Sequence, residues 1–481
     1  MNKSYDYVLV GAGFFCSVIA ERIANDLKKK VLIIEKREQI GGNCYSEVDA
    51  ATGIEYHKYG THIFHTSNKS VWDYISKFTT FNSYYHQVLT LYNNQVYQMP
   101  INLETINSFY KINLKPYEVD DFLKKEIAKE SYKEPKNFEE QAINIIGRPL
   151  YDAFIKGYTI KQWGRNPKDL PAHIIKRLPF RKNYSESYFF DTHQGIPTDG
   201  YTEIFNKMLS SENITLQLNT DFLKVKDQFS PDTKIIYSGS IDSLLDYKYG
   251  ALDYRTLTFE KEVKKHEDYQ GTSVMNYANQ EIPFTRIHEP KHLHPERNYS
   301  KDKTLIIKEF SVEADKEEPY YPIGGEKNNL LYKKYLKEVN ALNKEKVYTV
   351  ENYYDGPRGG IANFKGKPHV YECIFDYLED EYSNGFKLME VSNETLQLAL
   401  KAWDLWIKWD NKPDKSKVEL DSHPVLPKDK NEHIELSKEL NKRLKIDETK
   451  AFIADGEFES YEKGGNGYQV EWKIRKEKNN I

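Results

Sequence analysis

The sequence predicts an α/β protein, because its first residues alternate between buried-strand and helix patterns around a glycine-rich turn. Tyr7–Val10 is a short apolar run that ends at two glycines, and a second apolar run, Val31–Ile34, follows it. Between them, from Val18 to Leu27, apolar residues recur near a helical period. A strand, a tight turn, a helix and a second strand in this order predict a βαβ unit with a parallel strand pair.

The turn after the first strand has the spacing of a dinucleotide-binding site. Gly11 and Gly13 let backbone amides approach a pyrophosphate, and the start of the following helix adds its positive dipole. Cys16 stands where the third glycine is expected, which weakens the pattern. Glu35 ends the second strand, where an acid binds a ribose 2′-hydroxyl and disfavours a 2′-phosphate. Because a glycine pair ending at Gly42 follows closely, we predict FAD rather than NAD.

The composition excludes several classes of function. The 481 residues suffice for about two to four domains. With 69 basic and 73 acidic residues, the chain lacks the basic excess that a non-specific nucleic-acid partner requires. Three cysteines fit neither a disulfide framework nor a zinc site, so no metal is expected. No apolar run is long enough for a membrane span and no signal peptide is recognisable, so we expect a cytoplasmic protein.

The middle of the chain predicts helices first and strands later. Residues from about 67 are mostly of mixed helical character, and Asn137, with Glu140 three residues later, predicts a helix N-terminus. Residues from about 200 carry short β-rich runs such as Lys234–Tyr237 and Thr304–Ile307. We find no internal repeat in the sequence.

The character of the sequence changes after Val347. Residues 355–360 are dense in turn residues, and an apolar helix with two tryptophans is predicted around residues 396–407. Residues 468–474 alternate strictly between apolar and polar after the glycine-rich residues 464–467, which predicts a hairpin strand. We therefore predict that residues 347–481 form a small α+β module, to which the sequence assigns no function.

Five stretches of the chain resemble the bacterial UDP-galactopyranose mutases. These stretches are Tyr59–Thr66, Ile155–Arg165, Gln194–Pro197, Pro283–Arg286 and Glu318–Pro322. The resemblance implies a Rossmann-like FAD-binding domain with an inserted helical domain and a twisted antiparallel sheet. It also implies that residues 1–346 form the mutase-like region.

Within that region, the resemblance implies three parts. Residues 1–66 would form the FAD-binding βαβ unit, residues from about 67 to 170 a mainly helical part, and residues from about 180 to 346 the antiparallel sheet with returns to the FAD domain. Around Tyr348, the run that begins at Lys346 is expected to add an edge strand to the FAD domain.

The resemblance implies a cytoplasmic isomerase of cell-surface polysaccharide biosynthesis. Members of the family interconvert UDP-galactopyranose and UDP-galactofuranose with FAD in its reduced state, through an adduct between flavin N5 and the sugar. The cofactor carries out the difficult chemistry. The expected partners are the UDP-sugar substrate and, as is common in the family, a second copy of the chain.

The resemblance also assigns the site residue by residue. The expected flavin contacts are Gly11, Gly13, Phe15, Glu35, Gly42, Asn43, His62 and Ile63. The expected substrate contacts are His86, Tyr158, Thr159, Trp163, Arg177, Tyr188, Asn276, Arg286 and Tyr320. Three of these residues would be catalytic, namely His62 beside the isoalloxazine and the pyrophosphate-binding Arg177 and Arg286. Because the diphosphate leaves and returns with its charge, fixed cations must hold it while it is detached.

Two departures from the family pattern leave alternatives open. His86 stands where the family commonly has an asparagine that faces the substrate, so the sugar could be galactose or an N-acetyl, deoxy or pentose relative. The closing segment of the family, with an arginine that holds the flavin pyrophosphate, has no counterpart after Val350. The chain is therefore either an active mutase fused to a new module, or an inactive remnant that binds a UDP-sugar weakly while the C-terminal module carries an interaction role.

Overall fold

The computed structural model describes residues 5–177, 180–230, 233–314, 318–342, 344–351, 357–376, 381–410, 425–460 and 467–475, with the backbone alone at 176–177, 340–342, 376 and 381. The chain divides into two compact units, Met1–Tyr335 and Leu336–Ile481. The described helices include none with the length and apolarity needed to cross a membrane.

The first unit contains strands and helices along its whole length. Its strands are β1 (Tyr7–Val10), β2 (Val31–Ile34), β3 (Ser46–Val48), β4 (Glu55–His57), β5 (Phe64–Thr66), β6 (Val88–Tyr92), β7 (Gln95–Met99), β8 (His193–Gly195), β9 (Ile214–Gln217), β10 (Lys234–Tyr237), β11 (Tyr254–Lys264), β12 (Val274–Tyr277), β13 (Arg286–His288), β14 (Thr304–Glu313) and β15 (Tyr321–Pro322). Its helices are α1 (Phe14–Asp26), α2 (Lys69–Ile75), α3 (Leu103–Tyr110), α4 (Val119–Ala128), α5 (Phe138–Ile146), α6 (Arg148–Leu150), α7 (Gly157–Trp163), α8 (Tyr201–Met208), α9 (Phe222–Val225), α10 (Ile241–Leu244) and α11 (Glu326–Leu342), within which the boundary between the units falls.

A four-stranded parallel sheet in the order β10-β1-β2-β9 carries the predicted βαβ unit. All four residues of β2 are buried, which explains why its sequence is continuously apolar instead of alternating. Two of the strands, β9 and β10, come from beyond residue 200, so the chain returns to this sheet after leaving it. The α/β fold class predicted from the sequence is thereby confirmed.

A helical layer packs around a core that includes Phe138, Ile143 and Phe154. At the start of α5, the Asn137 side chain accepts a hydrogen bond from the Glu140 amide at 3.0 Å, which confirms the predicted helix N-terminus. The helical segment from α6 to α7 has a π-helical middle, Tyr151–Lys156. Such turns are frequent at functional sites, and this one leads directly into α7.

A seven-stranded sheet in the order β15-β11-β14-β13-β12-β6-β7 forms the third part of the unit. Its neighbouring strands are antiparallel except for β12 and β6, which run parallel. Because β6 and β7 precede residue 100, the sheet also draws strands from the segment expected to be mainly helical. The registers Asn276↔Arg286 and Arg286↔Glu309 bring these residues together on three adjacent strands.

The second unit is built on a closed barrel of antiparallel strands. The strands, in barrel order, are β16 (Glu345–Glu351), β17 (Gly359–Phe364), β18 (Lys367–Asp376), β19 (Glu381–Glu390), β20 (Phe452–Ser460) and β21 (Tyr468–Ile474). Two helices, α12 (Asn393–Asp410) and α13 (Lys430–Arg443), lie in the connection between β19 and β20. Closure leaves no free sheet edge among these strands.

Aromatic side chains fill the barrel. Tyr371, Phe386, Phe458 and Trp472 contact one another with ring centroids 5.3–6.0 Å apart, and the indole N–H of Trp472 donates to the Asn363 carbonyl at 2.8 Å. The predicted apolar helix is α12, and it packs on the outside of the barrel. The interior is therefore a packed core.

The strand around Tyr348 does not join the FAD-binding sheet, so that expectation is wrong. It is β16, which pairs with β17 through Val350↔Gly360 and with β21 through Glu345↔Val470. β16 thus has neighbouring strands of the barrel on both of its edges. A boundary after residue 346 would cut through this strand. The hairpin strand predicted at residues 468–474 is confirmed as β21, whereas residues 464–466 before it lie outside the described residues.

Alanine substitutions at two glycines of the barrel test the pairing of β16 with β17. A Cβ on Gly360, at φ +142°, would lie 2.0 Å from the Thr349 carbonyl oxygen, whereas a Cβ on Gly366, at φ +76°, would meet nothing within 4 Å. We expect Gly366→Ala to cost about 1–2 kcal/mol, for its left-handed backbone alone, and Gly360→Ala to cost more, since β16 and β17 must separate. Urea denaturation followed by tryptophan fluorescence compares the two variants. Equal losses would contradict the strand pairing.

Candidate functional site

Glycines shape a cradle at the carboxyl end of β1. The Gly11 amide donates to the Ile34 carbonyl at 2.8 Å, and a Cβ on Gly11, at φ +104°, would lie 2.4 Å from Ser238 Oγ. The chain approaches itself closely at Gly13 and Gly42, because a Cβ on Gly42 would lie 3.0 Å from Gly13 Cα. Side chains at Gly11 and Gly42 would therefore close the cradle.

The N-terminus of α1 opens onto this cradle. Its N-cap is Gly13, so no side chain caps the first turn, and the N–H groups of that turn remain to bind an anion. Phe15, in the same turn, is 59% exposed. Cys16 is buried, and its thiol lies 3.4 Å from the Val10 carbonyl oxygen. The position of the missing third glycine is thus filled by a small side chain that packs against β1.

Glu35 ends β2 with a buried carboxylate in a fixed orientation. One carboxylate oxygen accepts from the Ala12 amide at 2.8 Å and the other from the Arg37 amide at 2.9 Å. A carboxylate oxygen can accept more than one hydrogen bond, so both can still bind the hydroxyls of a ribose. Asn43 accepts from Arg37 Nη1 at 3.0 Å, which ties the second glycine loop to the same corner.

His62 lies in the loop before β5 with its ring orientation fixed. Its Nδ1 is 2.7 Å from the Gly60 carbonyl oxygen, and its amide donates to His57 Nδ1 at 2.9 Å. Burial lowers the pKa of His62, so the ring is neutral. Because a carbonyl only accepts, Nδ1 carries the proton and Nε2 is left as an acceptor. Ile63 follows and packs on the cluster that contains Tyr84.

An ion pair between the half-buried Arg286 and the buried Glu309 forms the centre of the substrate side. Arg286 Nε lies 3.1 Å from Glu309 Oε1, and Arg286 Nη2 donates to the Tyr158 hydroxyl. Burial works to raise the pKa of Glu309, but Arg286, His288 and Thr285 lower it to about 2. Both members of the pair are therefore charged at neutral pH.

Polar atoms around this pair are placed to meet a ligand. Burial raises the pKa of Tyr158 to about 12, so its hydroxyl keeps a proton that it can donate. On the neighbouring strand, the buried Oδ1 of Asn276 has no hydrogen-bond partner among the described residues. A buried acceptor without a partner is costly unless a ligand donor satisfies it.

His86 lies on the same side, between aromatic rings. Burial, followed by the charge of Arg286, lowers the pKa of His86 to about 3, so the ring is neutral at physiological pH. Its ring stacks on Phe189 at 5.6 Å, and its carbonyl accepts from the Tyr188 amide at 3.2 Å. Its Nδ1 is 3.0 Å from the Tyr84 hydroxyl.

The remaining predicted contacts are less closely tied to the ion pair. Thr159 is buried and Trp163 half-buried in α7, where Trp163 packs against the core of the helical layer. The Arg177 side chain lies outside the described residues. Whether these three side chains contact a substrate therefore stays a prediction.

The structure distinguishes the two neighbouring tyrosines of the Glu318–Pro322 motif. Burial raises the pKa of both tyrosines. The charges that act next on the pKa are those of Arg37 and Glu318 at Tyr320, and those of Glu309 and Arg286 at Tyr321. Tyr321 pairs with Arg255 of β11 through the register of β15. Whether Tyr320 contacts the substrate therefore stays a prediction, and its neighbour Tyr321 is a second candidate for that contact.

Sequence reasoning also missed Glu309 and His288, which lie beside Arg286. A signal for Glu309 was present, since this carboxylate continues the alternation of Leu305 and Ile307 on the buried face of β14, where only a paired charge is stable. His288 follows Arg286 by two residues, so both lie on the same face of β13.

The low pKa of Glu309 predicts an acid-dependent loss of stability. The pKa is lowered from its ordinary 4.5 to about 2 in the folded protein, so the carboxylate stabilises the fold above pH 4.5 and this contribution disappears as the pH falls towards 2. We expect the free energy of unfolding to fall more steeply over this range in the wild type than in Glu309→Gln, which cannot titrate. Urea denaturation at several pH values measures both slopes, and parallel slopes would contradict the assignment.

Sequence and structure comparisons place these features in a known context. The family model described as UDP-galactopyranose mutase matches residues 153–350, and the one described as an NAD(P)-binding Rossmann-like domain matches residues 9–78. The chain is 41% identical over 343 residues to a dTDP-fucopyranose mutase of Escherichia coli, covering 70% of this chain and 88% of that protein. It is 42% identical over 337 residues to a probable UDP-galactopyranose mutase of Klebsiella pneumoniae, covering 70% and 86%.

A solved structure supports the fold. A crystal structure of reduced UDP-galactopyranose mutase superposes with a TM-score of 0.51 at 16% identity, covering 66% of this chain and 75% of that one. The glycine cradle, the uncapped start of α1 and the Glu35 carboxylate fit FAD, which is the cofactor. With relatives more than 40% identical over most of their own length, the chain belongs to the UDP-galactopyranose mutase family.

Proposed function

We propose that the protein is a reduced-FAD-dependent mutase that interconverts UDP-galactopyranose and UDP-galactofuranose. The observation that carries this proposal is the half-buried Arg286, held by Glu309 and Tyr158 beside the unpartnered Oδ1 of Asn276. Such a site offers a fixed cation for a diphosphate and an acceptor for a polar N–H or O–H group of the ligand.

Arg286 is oriented to hold the diphosphate while it is detached from the sugar. Its guanidinium forms an ion pair with Glu309, and only one Nη2 hydrogen is donated to a described residue, Tyr158, so further N–H groups of the planar guanidinium remain for phosphate oxygens. Since the ion pair holds the guanidinium in place before the ligand arrives, little reorganisation accompanies charge development on the leaving group.

On the cofactor side, the protein offers uncharged side chains in fixed orientations. When bound and reduced, FAD supplies the nucleophile on which displacement of the diphosphate depends. His62 presents its unprotonated Nε2 as an acceptor, because Gly60 holds the proton on Nδ1. Tyr158 stays protonated at neutral pH and can donate to an oxygen of the substrate.

A second candidate substrate is a dTDP-linked 6-deoxyhexose. The observation that favours it is His86, a neutral ring between the aromatic side chains of Tyr188 and Phe189, which suits a less polar sugar edge. One relative at 41% identity is a dTDP-fucopyranose mutase. The two candidates share the same diphosphate chemistry and differ in the base and in the sugar 6-position.

We expect the purified protein to be yellow and to convert its substrate only when the flavin is reduced. UDP-galactopyranose and dTDP-fucopyranose are each incubated with the protein, with and without dithionite, and the furanose product is measured by chromatography. Equal turnover in the oxidised and reduced states would contradict the proposed chemistry. Colourless protein without turnover would instead support an inactive remnant.

Arg286→Ala should weaken UDP binding and abolish most turnover while the flavin stays bound. Loss of a charge-assisted contact costs on the order of 1.5–3 kcal/mol, or about ten- to a hundredfold in affinity. By the family resemblance, we expect a similar loss for Arg177→Ala. The matched control is Arg22→Ala, because Arg22 is exposed and its ion pair is with Asp26 of its own helix, away from the ion pair of Arg286. Near-normal turnover of Arg286→Ala would show that this residue does not bind the diphosphate.

A further inference from the structure

His288 occupies the middle of the site, and both of its ring nitrogens are engaged. It is 2% exposed on β13. Its Nε2 lies 3.0 Å from Glu309 Oε2, and its Nδ1 lies 2.7 Å from Thr61 Oγ1. Since a carboxylate only accepts, Nε2 carries a proton, and in the neutral ring the Thr61 hydroxyl donates to Nδ1.

The two partners of His288 lead to opposite sides of the site. Thr61 directly precedes His62, which we place beside the cofactor. Glu309 uses its other oxygen, Oε1, to hold Arg286 and to accept from the Thr285 hydroxyl at 3.1 Å. Among the described side chains, the hydrogen bond to Glu309 Oε2 comes from His288, so this histidine sets the rotation of the carboxylate.

The strand register explains why one residue can reach both sides. Arg286 and His288 are two residues apart on β13 and share a face, and Arg286 pairs directly with Glu309 on β14. The loop with Thr61 lies against the same carboxylate, because a Cβ on Gly60 would lie 3.7 Å from Glu309 Oε2. The three elements therefore meet at one buried carboxylate.

We propose that His288 is a positioning residue that fixes the orientation of Arg286 relative to His62. It acts through Glu309 on the substrate side and through Thr61 on the cofactor side, without contacting either ligand. This inference rests on the proposed function, because it takes Arg286 to be the residue that binds the diphosphate.

The two connections of His288 can be separated by substitution. The amide nitrogen of glutamine can take the place of Nε2 and keep the hydrogen bond to Glu309, whereas asparagine reaches only as far as Nδ1 and keeps the bond to Thr61. His288→Leu keeps neither bond. The exposed His266 offers a matched control as His266→Leu.

The experiment measures UDP affinity by calorimetry and the flavin absorption spectrum of each purified holoprotein. We expect His288→Leu and His288→Asn to bind UDP about tenfold more weakly, the effect of losing one hydrogen bond to a charged group. His288→Gln should bind UDP as the wild type does. The flavin spectrum should shift in His288→Leu and His288→Gln, and stay unchanged in His288→Asn and His266→Leu.

A loss of UDP affinity and a spectral shift of the same size in all three His288 variants would indicate a general packing defect and overturn the proposal. If His288→Leu does not fold, Thr61→Val keeps the test decisive, because it removes the hydroxyl alone. Thr61→Val should shift the flavin spectrum without weakening UDP binding, Thr61→Ser should restore the spectrum, and an unchanged Thr61→Val spectrum would overturn the proposal.

Failure of the inference and failure of the proposed function give different results. A wild-type holoprotein that binds no UDP, or an Arg286→Ala variant that binds it normally, would contradict the proposed function. Loss of UDP binding in Arg286→Ala together with wild-type affinity in His288→Leu would overturn the role of His288 alone.

Discussion

The candidate site depends on one ion pair, between the half-buried Arg286 and the buried Glu309. Removing two charges from water costs several kcal/mol for each ion, and their mutual attraction offsets this only when the remaining hydrogen bonds are made. Here Thr285 and His288 make them on the carboxylate side, and Tyr158 makes one on the arginine side. These contacts favour the ionised carboxylate of Glu309 in the folded protein. The pair also has a geometric role, because it holds the Arg286 cation in a single orientation.

Local features of the sequence were enough to predict the cofactor side. Gly11, Gly13 and Glu35 act through their own backbone conformation or their position at a strand end, so their spacing along the chain predicts their position in space. The substrate side depends on which strand residues face each other. Motif resemblance identified Arg286 and Tyr158, but the places of Glu309 and His288 beside Arg286 follow from strand register, which one sequence does not contain.

In the second unit, the sequence likewise did not reveal which strands become neighbours. The sequence predicted a strand around Tyr348 correctly and assigned it to the wrong sheet. Alternation of apolar and polar residues specifies which face of a strand is buried, but it says nothing about which distant strand becomes its neighbour. The apolar helix and the strand at residues 468–474 were predictable because each depends on its own periodicity alone.

The barrel closes when its first strand, β16, pairs with its last, β21, through Glu345 and Val470. The two helices α12 and α13 lie between these strands in the sequence. During synthesis on the ribosome, β16 leaves the exit tunnel long before β21 exists, and one of its edges stays unpaired in the meantime. Contacts between residues so far apart in sequence form slowly, because the loop-closure entropy must be lost first. The barrel can therefore complete its fold only after β21 has emerged, and until then the free edge of β16 can pair with another chain.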